Sequence, residues 1–203
     1  MIYRMVYKAV YKNKDAFLSE IKMVEQNDEV YTLTAFEFAG NAYVYYECIN
    51  REIEPNELFA NASEYLIANA DGSLWTRLYD IFHYDKPIDM GNWKRKIAPT
   101  PHATVNRLKP EKLCSYIFYH FQYQEEKPCD GPKYSAIYLD GNFMFFYHES
   151  PEVKEPAGYK GLLNTNNTPD GWGELMGEHF LPWDDYDGPW RNDVKVLYTT
   201  IKM

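Results

Sequence analysis

The sequence predicts an α+β fold made of two copies of a β-α-β-β-α-β unit, and three observations predict it. Residues 133–149, KYSAIYLDGNFMFFYHE, are two strands with their turn written between them. Tyr134, Ala136 and Tyr138 alternate with Ser135, Ile137 and Leu139, Asp140-Gly141 supplies a tight turn, and Phe143 to Tyr147 return. Residues 31–47, YTLTAFEFAGNAYVYYE, repeat that pattern through a Gly-Asn turn. Finally, Glu54-Pro55 falls where Glu155-Pro156 does when Gly40-Asn41 is matched to Gly141-Asn142, so the copies stay in step, as a duplication does.

Each element follows in order. Residues 1–12 place Tyr3, Met5, Tyr7, Ala9 and Tyr11 on one side of a strand. Asn13 can cap a helix over 14–26, in which Phe17, Ile21 and Val24 fall near helical spacing. After the first hairpin, Pro55 suits the first position of a second helix with Leu58, Ala62, Tyr65 and Leu66 as its buried stripe, ended by Asp71-Gly72. Residues 74–84 close the copy as a strand. The run 85–101 holds Pro87, Gly91, Pro99 and Pro101 without periodicity. The expected division is therefore a first repeat over 1–90, a linker over 91–101 and a second repeat over 102–203.

The second repeat opens with a strand at 102–108. Pro110 starts a helix to about Glu126 with Leu113, Tyr116, Ile117, His120 and Tyr123 along one face. After the hairpin the segment 158–171, GYKGLLNTNNTPDG, is longer and turn-rich. Thr168-Pro169 then suits the start of a helix carrying Trp172, Leu175, Met176 and His179 at i, i+3, i+4 and i+7. Residues 182–192, PWDDYDGPWRN, read as an aromatic and acidic loop, and 193–202 as the last strand. Two sheets with helices on one face only would each leave an apolar face over. Packing those faces together gives a single-chain version of the dimeric α+β barrel, a pseudo-dimer within one chain.

Composition narrows function. With 21 Lys and Arg against 30 Asp and Glu, the net charge of -9 argues against nucleic acid and against an anionic membrane surface. The one cationic cluster, Lys94-Arg95-Lys96, reads as solvated linker. Cys48, Cys114 and Cys129 lack C-x-x-C spacing, which speaks against a disulfide framework or a metal site and for a reducing compartment. The opening MIYRMVYKAVYKNKD is charged too often for a signal peptide or a membrane span, so a cytoplasmic protein is expected. There is no Gly-rich phosphate loop, no nucleophile with a base at useful spacing and no His/Cys ligand cluster, which removes kinases, common hydrolases and zinc enzymes.

Chemistry concentrates on Tyr116 and His120, which share a helix face, with Tyr134 opening the next strand. Two roles are open to them: packing inside the core, or lining a sugar-sized pocket in which histidine moves protons and tyrosines orient a polyol. His83, on the closing strand of the first repeat, reads as a packing residue. His148 and Glu149 are neighbours on a strand and so face opposite ways. His179 shares a helix face with Trp172. The loop 182–192 reads equally as a lid or as a solvated loop.

Residues 103–120, ATVNRLKPEKLCSYIFYH, resemble the opening of L-rhamnose mutarotases: a strand, a Pro-started helix, then Tyr-x-x-x-His. YSAIYLD is similar to that family's next strand and VKVLYTT to its last. The resemblance implies the dimeric α+β barrel fold and interconversion of the anomers of a deoxyaldose without metal or organic cofactor. It implies His120 as acid/base residue, Tyr116 and Tyr134 as sugar-binding residues, and Trp172 as the first of the family's two adjacent tryptophans. Gly173 stands in the second tryptophan's place, and Phe121-Gln122-Tyr123 replaces the family's Asn and Trp-Pro-Glu run. The first repeat lacks a Tyr-x-x-x-His, so one competent site per chain is expected. Two rival readings are a non-catalytic module that binds carbohydrate or another small ligand, and a cofactor-free or haem-handling monooxygenase of the same barrel superfamily.

Overall fold

The computed structural model describes all 203 residues, Met1–Met203. In chain order it contains β1 (Ile2–Tyr11), α1 (Lys14–Lys22) with a 3₁₀ turn at Met23–Gln26, β2 (Val30–Phe38) and β3 (Asn41–Ile49). Then come α2 (Pro55–Leu58), a 3₁₀ stretch at Ala60–Tyr65, β4 (Leu66–Ile67), β5 (Thr76–His83) and α3 (Met90–Trp93). The later part has β6 (Thr100–Arg107), a 3₁₀ turn at Pro110–Lys112, α4 (Leu113–Glu126), β7 (Ala136–Asp140), β8 (Phe143–Ser150), α5 (Trp172–Gly177) and β9 (Lys195–Ile201). The class is α+β with antiparallel strand pairing. No helix is long and apolar enough to cross a membrane.

The chain forms two compact units. Unit 1 comprises 1–78, 87–101 and 194–203; unit 2 comprises 79–86 and 102–193. The expected contiguous halves therefore differ from the compact units, because the closing strands change hands. From Tyr79 onward β5 pairs with β7, and β9 pairs with β2 from Thr32 to Glu37. The same pairing rules that build a hairpin act here between strands far apart in sequence.

In unit 1 the strand order is β5-β1-β3-β2-β9, with β4 beside β1. Asn13 caps α1 as expected, its side-chain oxygen accepting the Ala16 N–H at 3.1 Å. The face of α1 buries Phe17 and Ile21 against Tyr7, Val44, Tyr46 and Trp75 of the sheet side. Fully burying a side chain such as Phe17 contributes about 1.5–3 kcal/mol. Phe59 and Trp75 lie 5.6 Å apart between ring centres and Phe17 and Trp75 6.1 Å, so aromatic rings fill this layer.

Two expectations for this part are corrected. The helix expected from Pro55 to Gly72 is one turn long, because Phe59 leaves helical geometry at φ −122, ψ 49 and Leu66 pairs with Tyr11. Ala62 and Leu66 are buried all the same. Arg95, expected in a solvated linker, is 2% exposed. Its guanidinium grips both oxygens of buried Glu47, at 2.5 and 2.8 Å, and its N–H donates to the Tyr31 hydroxyl at 2.9 Å.

Both hairpins use two-residue turns, but one position away from the expected match. Phe38 pairs with Asn41 around Ala39 and Gly40, at φ 48 and 74, while Asp140 pairs with Phe143 around Gly141-Asn142. Tyr45 therefore corresponds to Tyr147 and Glu47 to Glu149, and in each strand the tyrosine hydroxyl donates to the glutamate two residues on.

In unit 2 the strand order is β6-β8-β7-β5. Residues 108 and 109 tie to the neighbouring loops through Leu108 N–H to the Asn142 carbonyl and Lys109 N–H to the His179 carbonyl, both at 2.8 Å. Phe82, Leu108, Tyr116, Ile137, Leu139, Met144 and Met176 form the buried cluster between α4, α5 and the sheet. That cluster is incomplete, and the space left is the candidate site.

Candidate functional site

A cavity of about 600 Å³ opens beside α4, wholly within unit 2. From α4, Tyr116, His120 and Tyr123 face it at the spacing that puts i, i+4 and i+7 on one side of a helix. The sheet contributes Phe82 from β5, Thr104 from β6, Ile137 from β7 and Phe146 from β8, and Tyr84 follows just past the end of β5. Trp172, Gly173 and Met176 of α5, with Phe180 and Trp190 beyond it, complete the wall. The lining is almost all ring and hydrocarbon, and no charged side chain takes part.

His120 is 4% exposed. Its Nδ1–H donates to the Tyr116 carbonyl at 2.9 Å, so the neutral ring keeps its lone pair on Nε2, which has no hydrogen-bond partner within the protein. Ring edges of Phe82 and Trp172 meet the imidazole at 5.0 Å each, and the Tyr116 ring lies 4.0 Å from it. This burial pushes the imidazole from its usual 6.5 down to about 4, outweighing the carbonyl bond that favours protonation. The Tyr116 phenol is pushed upward by the same desolvation and stays a neutral donor.

Three of the four sequence candidates thus meet here: Tyr116, His120 and Trp172. Tyr134 does not line the cavity. Tyr134, expected to open the strand, lies instead in the turn before β7, which Ser135 N–H closes onto the Pro132 carbonyl at 3.0 Å, and β7 contributes Ile137 to the wall. His120 also departs from a histidine that titrates near neutrality.

Other candidates fall outside. His179 sits just past α5, donating from Nδ1 to the Leu175 carbonyl and holding Ser115 through Nε2, each at 2.9 Å, behind Tyr116. His83 lies 3.0 Å from Asp80, and His148 stacks on His102. The helix expected from Thr168 begins only at Trp172, after Gly171 at φ 70, because Thr168 is engaged elsewhere. Both its N–H and its hydroxyl donate to the Glu126 carboxylate, as do Thr165 and Asn167, and Glu125 holds Leu162 N–H and the Lys86 ammonium. The end of α4 thereby pins the segment leading to α5 and Trp172. Gly161 permits this, since a Cβ there would lie 2.0 Å from the Glu125 carbonyl oxygen.

The loop 182–192 is organised around Arg191, which pairs with Asp185 and Asp193 and lies over the rings of Trp183 and Tyr186. Backbone pairing of Arg191 with Val105 fixes the neighbouring Trp190 in the cavity wall. Sequence reading missed Phe82, Tyr84, Thr104 and Phe146. Period-2 alternation along β5, β6 and β8 marks their face, but only the exchange of β5 brings the first two to this cavity.

The chain matches no family model and no curated protein. Among solved structures it is similar to a provisionally assigned monooxygenase from Fusobacterium nucleatum subsp. nucleatum. The two share 13% identity over 99% of this chain and 94% of that one, with a TM-score of 0.47, a likeness too distant to transfer an activity.

Proposed function

We propose that unit 2 binds a small, flat, largely apolar molecule bearing a hydroxyl, whose hydrogen bond is taken by Nε2 of His120. The observation that carries this reading is the pairing of an uncharged, ring-lined cavity with a single buried nitrogen lone pair that the protein leaves unused. Such cavities take their affinity from apolar area and their orientation from a few polar groups. A hydroxyl that hydrogen-bonds to Nε2 has its O–H bond polarised, which favours chemistry at the oxygen or the ring attached to it.

Anomer interconversion on the pattern of L-rhamnose mutarotases ranks second. It needs a proton donor at the sugar ring oxygen, whereas the one proton of neutral His120 is held by the Tyr116 carbonyl. It also needs partners for several hydroxyls, and no carboxylate, amide or cation lines the cavity. Haem, the cofactor of one rival reading, fits poorly for the same reason: its propionates would meet no Arg or Lys.

Equilibrium dialysis with 2-naphthol, 2-methoxynaphthalene and L-rhamnose tests the reading. Saturable binding of naphthol, about 3- to 10-fold tighter than its methyl ether, is expected, with that preference lost in His120→Phe. Binding of rhamnose but not naphthol would overturn it in favour of the sugar enzyme.

A further inference from the structure

Resting on the cavity reading above, we propose that Tyr84, supplied by the closing strand of the first repeat, is a second ligand-contacting and specificity-determining residue. Its hydroxyl donates to a carbonyl or ether oxygen of the ligand. Three tyrosines line the cavity, and they are not equivalent. Tyr123 is committed, its hydroxyl donating to Asp130 Oδ2 at 2.9 Å. Tyr84 and Tyr116 have no hydrogen-bond partner for theirs within the protein. With Nε2 of His120 as acceptor, the cavity thus offers one acceptor and two donors, which complements a ligand carrying both a hydroxyl and an oxygen acceptor.

The placement of Tyr84 is built, not incidental. Phe82 meets its ring edge-on at 4.8 Å and Tyr123 at 6.4 Å. Its carbonyl accepts the Cys129 N–H at 2.8 Å, and Cys129 itself adopts a left-handed φ of 63 that turns the chain back. That turn lays Gly131 flat against the phenol ring, where a Cβ would come within 2.3 Å of Cε1 and 2.6 Å of Cζ. Gly131 is therefore a positioning residue: any side chain there displaces the Tyr84 ring. Burial raises the phenol above its usual range, which keeps it a donor at neutral pH. The first repeat, expected to be only a structural partner, thereby takes part in the site.

The test is equilibrium dialysis of the full chain against naphthalene and 2-acetylnaphthalene, a flat ketone that accepts but does not donate. The wild-type protein is expected to prefer the ketone. Tyr84→Phe, which keeps the ring, should weaken ketone binding about 3- to 10-fold while leaving naphthalene within about twofold. Gly131→Ala should weaken both, because the ring itself is moved. A ketone-to-naphthalene ratio in Tyr84→Phe equal to that of the wild type would overturn the assignment of Tyr84 while leaving the cavity reading standing. Binding of neither probe by the wild type would sink the cavity reading and this inference with it.

Discussion

An imidazole whose single proton is already given to a carbonyl can only accept, and its burial makes protonation costly. The folded value near 4 lies below the 6.5 of an unfolded chain, so the unfolded state binds the proton first as pH falls. His120 therefore contributes fully to stability above about pH 6.5, and about 3 kcal/mol of that is lost as pH falls to 4. Urea unfolding of the wild type and of His120→Phe at pH 7 and pH 4.5 should show the larger loss in the wild type. A second residue-scale prediction concerns the pair of Glu47 and Arg95, whose side chains are 0% and 1% exposed. Glu47→Ala removes the buried carboxylate that Arg95 grips and should cost about 3–5 kcal/mol in the same measurement. The spacing of Tyr116 and His120 was legible because helical period alone sets a face. The lowered imidazole was not, because Phe82 and Trp172 come from distant stretches of chain.

Among the elements, α5 shows how little a short helix fixes by itself. It is six residues long, and its place depends on the Glu126 carboxylate gripping Thr165, Asn167 and Thr168. Those donors hold the Glu126 carboxyl down at about 2 against an ordinary 4.5, so the grip is present above about pH 4.5 and released as pH falls toward 2. Glu126→Ala should raise amide hydrogen exchange across Leu162–Thr168 about tenfold or more, and should weaken naphthol binding by freeing Trp172. α4, both hairpins and the cap of α1 follow from local pattern. The early end of α2 and late start of α5 do not, since Leu66 is claimed by β1 and Thr168 by α4, and neither partner is nearby in sequence.

For the whole molecule, the exchanged closing strands matter most. β9 covers the edge of β2 from Thr32 to Glu37, including the Thr34–Thr199 hydroxyl contact at 2.9 Å. Ending the chain at Asp193 bares that edge and should give a lower melting temperature and self-association on gel filtration. The order of elements was legible in the sequence, whereas the neighbour of each closing strand was not, because a strand's own residues do not name its partner. The cavity wall carries one more consequence. Two of the five tryptophans, Trp172 and Trp190, border it, and Trp172 sits edge-on to His120. An imidazolium draws excited-state electron density from an adjacent indole, so emission from the native protein should dim as pH passes downward through about 4 and change when the hollow is occupied. The molecule thus comes with a built-in optical gauge of both its protonation and its occupancy.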